Sequence, residues 1–322
     1  MYLSFYGLKE KPFNLTPDPR FLYMSPACRE AFAQLVYATR ERKGFTVLTG
    51  SVGSGKTTLL HALRRRLSVQ TAVCFVVNSH LTFDGILDCI LDDFDIGKGT
   101  KSRSQRLLAL KSFLLERDQM NQSTILMLDE AHNLDPVTLE QVRLLSNFET
   151  PNHKLLQILL VGQPELRAAL QRPELQQLKQ RIELRAEIRP LRADEIREYI
   201  RTRLRVAGAP DLKVFSDAAL GQIIEYSDGI PRVINLVCDH SLLFGYADQK
   251  HRIDREIVNE AIAYLEDRTT ARVSRAGVWS TVVRWPLWRA AVALAGVIPI
   301  LVRRLDDTLI GFARSMRHLV IR

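Results

Sequence analysis

The chain has 322 residues, 46% hydrophobic and 25% charged, with a formal net charge of +9. That balance supports a full core, excludes a disordered chain and suits about two domains. Ten Arg, no Lys and two Asp fall within 268–322, so +8 of the charge sits there and only +1 on 1–267; a nucleic-acid-binding core usually shows a basic excess of its own.

The N-terminal stretch 1–25 is rich in Pro and aromatics, with no apolar run of the signal-peptide kind. It reads as an ordered but irregular lead-in, neither strand nor helix, on a protein that stays in the cytoplasm. Residues 29–42 place Ala31, Phe32, Leu35, Val36 and Ala38 at helical spacing. Short apolar strands then alternate with helices. Strands are expected at 45–48, 72–78, 124–128, 155–161 and 182–188. Helices are expected at 56–67, 83–94, 103–117, 136–147 and 166–178. Continuous apolar strands alternating with helices predict a parallel sheet covered on both faces. After Pro190 the strand signal stops. Helices are expected at 193–207, 216–226, 231–246 and 254–267, with Ser216 and Asp254 as N-caps. The expected division is a lead-in at 1–25, an α/β domain at 26–190, a small all-α lid at 191–267 and a tail at 268–322.

The tail has its own pattern. Residues 290–302 (AAVALAGVIPILV) carry no charge, but they are short for a spanning helix, contain Pro299 and have Arg on both sides. Residues 305–322 interleave apolar residues with Arg314, Arg317 and Arg322, as an amphipathic surface helix does. Membrane contact is therefore expected through 285–322, as a short span or an in-plane anchor. A buried C-terminal helix is the plain alternative. Cys28, Cys74, Cys89 and Cys238 form no C-x-x-C pair and the His show no ligand spacing. Free buried thiols are expected, without a zinc site or disulfide framework.

The chemistry is carried by GSVGSGKT at 50–57, a full match to G-x-x-x-x-G-K-[ST] between a predicted strand and a predicted helix. Gly50, Gly53 and Gly55 let the backbone of Ser51, Val52 and Ser54 wrap close to phosphate oxygens, and the helix opening at Lys56, Thr57 and Thr58 adds its N-terminal dipole. Lys56 is the cation for the outer phosphates, and Thr57 is a hydroxyl ligand for Mg²⁺. ILMLDE at 125–130 ends an apolar strand in two carboxylates. Asp129 is placed to hold Mg²⁺ and Glu130 to orient or deprotonate an attacking water; alone, a solvated strand end would read the same. Gln163, just past the fourth strand, suits contact with the outer phosphate or the water, or is an ordinary loop glutamine. Arg181 opens the last strand and suits an arginine finger acting on a neighbouring subunit, or is one Arg among many. Arg232 in GIPR (229–232) begins a lid helix and suits a nucleotide contact.

These residues, in this order, resemble the AAA+ ATPases. FYGLKEKPFNLTPDPRFLYMS (5–25), GFTVLTGSVGSGKTTLL, LMLDEAHNL, LLVGQPEL and LKQRI more specifically resemble the ExeA/GspA-type secretion and pilus-biogenesis ATPases, over roughly 1–267. The resemblance implies ATP and Mg²⁺ as ligands, a homo-oligomer, and a cytoplasmic location at the inner membrane. It also implies partners in a secretion or envelope-assembly complex (pilus or exopolysaccharide). Family members often continue into a peptidoglycan-binding module, which is not expected of this chain. The alternative is a DNA-dependent ATPase of the transposition-helper kind, against which the neutral core and the apolar run count.

Overall fold

Four largely apolar stretches and one alternating stretch form one parallel sheet: β1 (Phe45–Gly50), β2 (Ala72–Val76), β3 (Thr124–Leu128), β4 (Gln157–Gly162) and the alternating β5 (Ile182–Ile188). The computed structural model describes residues 2–77, 81–99, 102–151 and 153–273; the apolar run, the Arg-flanked tail and residues 285–322 lie outside them. The strand order is β2-β3-β4-β1-β5. Leu48 of β1 pairs with Val161 on one side and Ala186 on the other. Every residue of β1, β3 and β4 is buried, which explains their uninterrupted apolar character.

Strand alternation sends neighbouring residues into two different layers. Leu126, Leu128, Ile158 and Leu160 join one core with α4 (Phe83–Asp93), α5 (Arg103–Gln119), α6 (Pro136–Leu145) and α8 (Gln176–Arg181). Ile125, Met127, Leu159 and Val161 face the other way, onto Leu35 of α2 (Pro26–Arg40) and Leu59 and Leu63 of α3 (Lys56–Arg66). The two layers hold the β1 and β3 ends, where the functional residues stand, from both sides.

A third core belongs to the helices after the sheet: α9 (Ala193–Val206), α10 (Asp217–Ser227), α11 (Pro231–Ala247) and α12 (Arg255–Val273). Ser216 accepts from the Ala219 N–H and Asp254 from the Ile257 N–H, as N-caps do. The lead-in packs into this same core through Tyr2, Tyr6, Phe13 and Phe21. Lys9 N–H donates to the Ala207 carbonyl at 2.8 Å, Phe13 meets Phe215 edge-on, and Tyr6 donates to the Lys250 carbonyl at 3.0 Å. The first residues of the chain therefore belong physically to the last described helices.

Some elements differ from the sequence reading. The lead-in contains a helical turn, α1 (Tyr2–Phe5), and a 3-10 turn at Pro19–Phe21. The helix expected at 166–178 is three pieces: α7 (Pro164–Ala169), a 3-10 turn at Pro173–Leu175, and α8. Pro173 has no N–H to continue a helix and excludes the helical conformation before it. The fourth strand begins at Gln157 rather than 155. Leu155 N–H instead donates to the Phe148 carbonyl, closing a small loop with the Glu149–Lys154 bridge.

Candidate functional site

The phosphate-binding loop stands at the carboxyl end of β1, an interior strand between β4 and β5. Its last glycine, Gly55, caps α3 with no side-chain hydrogen bond, so the first N–H groups of that helix are open to a ligand. Lys56 is only 5% exposed. Its Nζ folds back to donate to the Gly50 carbonyl at 2.9 Å and the Ser51 carbonyl at 3.0 Å. Burial holds the Lys56 ammonium below its ordinary pKa, opposed by the nearby carboxylates of Glu130, Asp129 and Glu165. The hydroxyls of Ser51 and Ser54 are buried without a partner. An unpaired buried hydroxyl is costly, so the loop is short of acceptor oxygens where anionic oxygens would sit. The observed cradle fits a polyphosphate.

Thr57 lies beside the second motif. Its Oγ1 donates to Asp129 Oδ2 at 2.7 Å, and Asp129, 3% exposed, also accepts from the Glu130 N–H at 2.9 Å. One hydroxyl and one carboxylate make an incomplete oxygen set of the kind Mg²⁺ uses when phosphate and water fill the rest. Among the described residues no group of three or more His, Cys, Asp or Glu could hold a metal alone. Glu130 has φ +53°, the left-handed region unusual for a side-chain-bearing residue. This turns the chain sharply at the end of β3. Gln163, at the end of β4, donates its Nε2 to Glu130 Oε2 at 3.2 Å. Its backbone N–H donates to His132 Nδ1 at 3.4 Å, and that nitrogen stands 3.5 Å from Glu130 Oε2. His132 lies in the 3-10 turn Ala131–Asn133 directly after the DE pair, and that position was the available signal.

The lid reaches the loop through its backbone. Arg232 N–H donates to the Gly53 carbonyl at 3.2 Å. Gly53 has φ +75°, and a Cβ there would come within 2.4 Å of Arg232 Cβ, so the contact requires glycine. Gly229 is equally constrained: with φ +73°, a Cβ would meet the Leu191 carbonyl oxygen at 2.1 Å. The GIPR segment is thereby seated against both the loop and the start of the lid.

A cavity of about 230 Å³ runs from the loop into the angle between the lead-in and the lid. Its inner end was not legible as a motif. Phe21, Leu22 and Tyr23 of the lead-in and Cys28 of α2 line one wall, and Tyr199, Arg203 and Asn235 of the lid line the other. Tyr199 donates to Asn235 Oδ1 at 2.8 Å. Arg203 is buried and has three oxygen acceptors: the Pro12 carbonyl at 2.5 Å, the Asn14 carbonyl at 3.1 Å and the Tyr199 hydroxyl at 3.0 Å. Its guanidinium also lies 4.8 Å from the Phe21 ring centroid. Burial pushes the Cys28 thiol up to about 11.

The structure thus brings together the loop 50–58, Asp129, Glu130, Gln163 and the Arg232 backbone. Arg181 stands apart. It precedes Ile182, which pairs with Phe45 at the opposite end of β1 from the loop, about 17 Å away at ~3.3 Å per residue. Its guanidinium donates to Ser146 Oγ and Asn147 Oδ1, each at 2.6 Å.

A family model described as "AAA domain" matches residues 39–170. The chain is 37% identical over 297 residues to general secretion pathway protein A of Aeromonas hydrophila, covering 90% of this chain and 54% of that protein. The fold is that of an AAA-type P-loop domain, with the matched AAA domain at residues 39–170. The chain spans about half the length of that curated relative. Among solved structures, the Aeropyrum pernix ORC2 protein matches with TM-score 0.62 at 16% identity, over 84% of this chain and 75% of that one. Cdc6p from Pyrobaculum aerophilum matches with TM-score 0.59 at 19% identity, over 76% and 70%. At these identities the matches speak to the AAA+ fold alone. Among the described residues no helix is long and apolar enough to cross a membrane.

Proposed function

We propose that this AAA+ protein binds ATP in the cavity beside the loop and hydrolyses it to ADP and phosphate, as an energy-coupling or assembly factor of a secretion or envelope export system. The observation that carries the catalytic reading is the joining of the two motifs: Thr57 Oγ1 on Asp129 Oδ2 at 2.7 Å, with Glu130 next in the chain and Lys56 buried alongside. The loop N–H groups and Lys56 would hold the phosphates, the base would enter between lead-in and lid, and Thr57 and Asp129 would hold Mg²⁺. The metal, when bound, neutralises charge on the phosphate oxygens. Glu130 takes the proton of the attacking water. Gln163, already on Glu130 Oε2, orients that carboxylate until the outer phosphate offers it a second partner. Arg232, fixed to Gly53 through its backbone, reports lid position at the phosphates. Arg181 stands at the far end of β1 from the chain's own site, so as a finger it would serve a neighbouring copy, and the active form would be an oligomer.

The export role rests on the similarity to general secretion pathway protein A over nine-tenths of this chain. Location at the inner membrane rests on that similarity and on the apolar, Arg-flanked sequence at 285–322. The test is ATP turnover by the full chain with Mg²⁺, with excess chelator, and with anionic vesicles or duplex DNA added. The reading expects turnover with Mg²⁺, its loss with chelator, and stimulation by vesicles. Stimulation by DNA with steep salt dependence would replace the export role with a DNA-dependent one. No turnover under any condition would remove the catalytic reading.

A further inference from the structure

A second recess lies in the lid, away from the nucleotide cavity. It is about 320 Å³ in volume, against about 230 Å³ for the nucleotide cavity. Four cations line it: Arg197 and Arg201, one turn apart on α9, Lys213 in the segment before α10, and Arg252 in the segment before α12. One carboxylate, Asp217, also lines it. Three separate stretches of chain converge here, and their convergence is built. Phe215 and Ile253 form a parallel bridge. Ile253 N–H donates to the Val214 carbonyl at 2.8 Å, and Ser216 N–H donates to the Ile253 carbonyl at 2.9 Å. These bonds hold the backbone of Lys213 and Arg252 side by side. The Lys213 N–H is itself tied to Asp211 Oδ1 at 2.8 Å.

The cations are poorly compensated. Arg197 reaches Asp217 at 3.2 Å, but that carboxylate is 92% exposed and weakly held. Arg201 meets Glu198 only at 3.9 Å. Among the described residues the side chains of Lys213 and Arg252 have no acidic partner. Placing four like charges around one concavity raises the local potential and favours an anionic visitor. Ile200, Leu212, Phe215 and Leu220 also line the recess, with Ile200, Phe215 and Leu220 buried, so a small apolar floor lies among the cations. A membrane surface calls for a flat or convex basic face, and a duplex calls for a track of cations along a groove. A recess of side-chain dimensions with an apolar floor instead suits carboxylates beside an apolar anchor.

We propose that this recess is a docking site for an acidic segment of a partner protein, an Asp/Glu-rich peptide carrying an apolar residue. It is separate from the nucleotide site, so its test does not depend on turnover. The probe is a fluorescein-labelled peptide of Glu and Asp around one Leu, titrated with the full chain at low salt and read by anisotropy. The wild-type chain is expected to bind, and the same peptide with Gln and Asn in place of the acids is not. Arg201→Glu with Lys213→Glu should weaken binding at least about tenfold. Arg252→Glu alone, an exposed change, should weaken it severalfold. Arg64→Glu with Arg65→Glu, the same charge change on an exposed surface of the α/β domain, should leave it unaltered. The proposal is overturned if the wild-type chain does not bind the acidic peptide, or if the recess variants bind as well as wild type. It is also overturned if the Arg64/Arg65 variant loses as much as they do, or if duplex DNA or phosphatidylglycerol vesicles, and not the peptide, bind through the recess.

Discussion

The two ends of the nucleotide cavity are built in different ways. At the phosphate end, all groups but the lid's Arg232 come from the rim of one buried sheet: Lys56 and Thr57 after β1, Asp129 and Glu130 after β3, Gln163 after β4. The strands are held from both faces, so these side chains stand on a rigid frame. At the other end, most contacts are long-range. Arg203 donates to carbonyls 191 and 189 residues earlier in the chain, and Tyr199 to Asn235 on another helix. The groups proposed for the chemistry stand on the sheet, and the rest of the cavity is lined where the lead-in and the lid meet.

Breaking each end in turn should give different signatures. The largest effect is expected from Lys56→Ala, which removes a buried ammonium at the phosphates. ATP affinity by fluorescence titration should fall by about 30- to 1,000-fold, the range for losing one partner of a desolvated charge contact, while thermal stability stays near wild type. Arg203→Ala should do the reverse. It deletes three hydrogen bonds that tie lead-in to lid, so unfolding free energy should fall by about 2–4 kcal/mol. KM for ATP should rise more than kcat falls. Arg203→Lys should not restore the wild type, because one ammonium cannot span both carbonyls and the Tyr199 hydroxyl. Equal loss of kcat and kcat/KM in Arg203→Ala would place it at the chemistry instead.

Gln163→Ala sharpens the phosphate end. With its amide gone from Glu130 Oε2, kcat should fall about tenfold with ATP affinity unchanged. The smallest effect belongs to a staple at the opposite sheet edge. There Asp118 bonds to His153, to Arg42 at 2.8 Å and sits near neither end of the cavity. The His153 hydrogen bond and charge, then the hydrogen bond and charge of Arg42, hold the Asp118 carboxyl below its ordinary range. A lowered carboxyl contributes stability that is present above the ordinary carboxylate pKa and lost as pH falls through the folded-state value. His153→Ala should therefore shift acid unfolding to higher pH, followed by circular dichroism, without changing ATP affinity at neutral pH.

How much of this was legible follows the same division. The strand at 124–128 ends where its apolar run does, the strand at 182–188 shows as an alternation of apolar and charged residues, and the loop and DE pair are short strings whose meaning is local. Their contact, Thr57 to Asp129, spans 72 residues; a parallel sheet puts both at the carboxyl ends of its strands, and the strand order, which the sequence does not carry, sets their distance. Pro173 was a visible breaker whose effect on the 166–178 periodicity was underweighted. The lead-in could be read as ordered, but its destination could not: its aromatics fill a core with helices beyond residue 190, and no periodicity within 1–25 points there. Tyr199, Arg203 and Asn235 are ordinary helix residues by spacing. Only the fold turns them toward a cavity.

The most direct measurement is ATP binding and ATP turnover on the same preparation of Glu130→Gln. The amide keeps the shape of the carboxylate but cannot accept the water's proton. The account predicts ATP affinity within a few-fold of wild type and a kcat reduced by about 10²- to 10⁴-fold. Turnover at the wild-type rate would contradict it, because the group at the end of β3 would then not be the one that activates water.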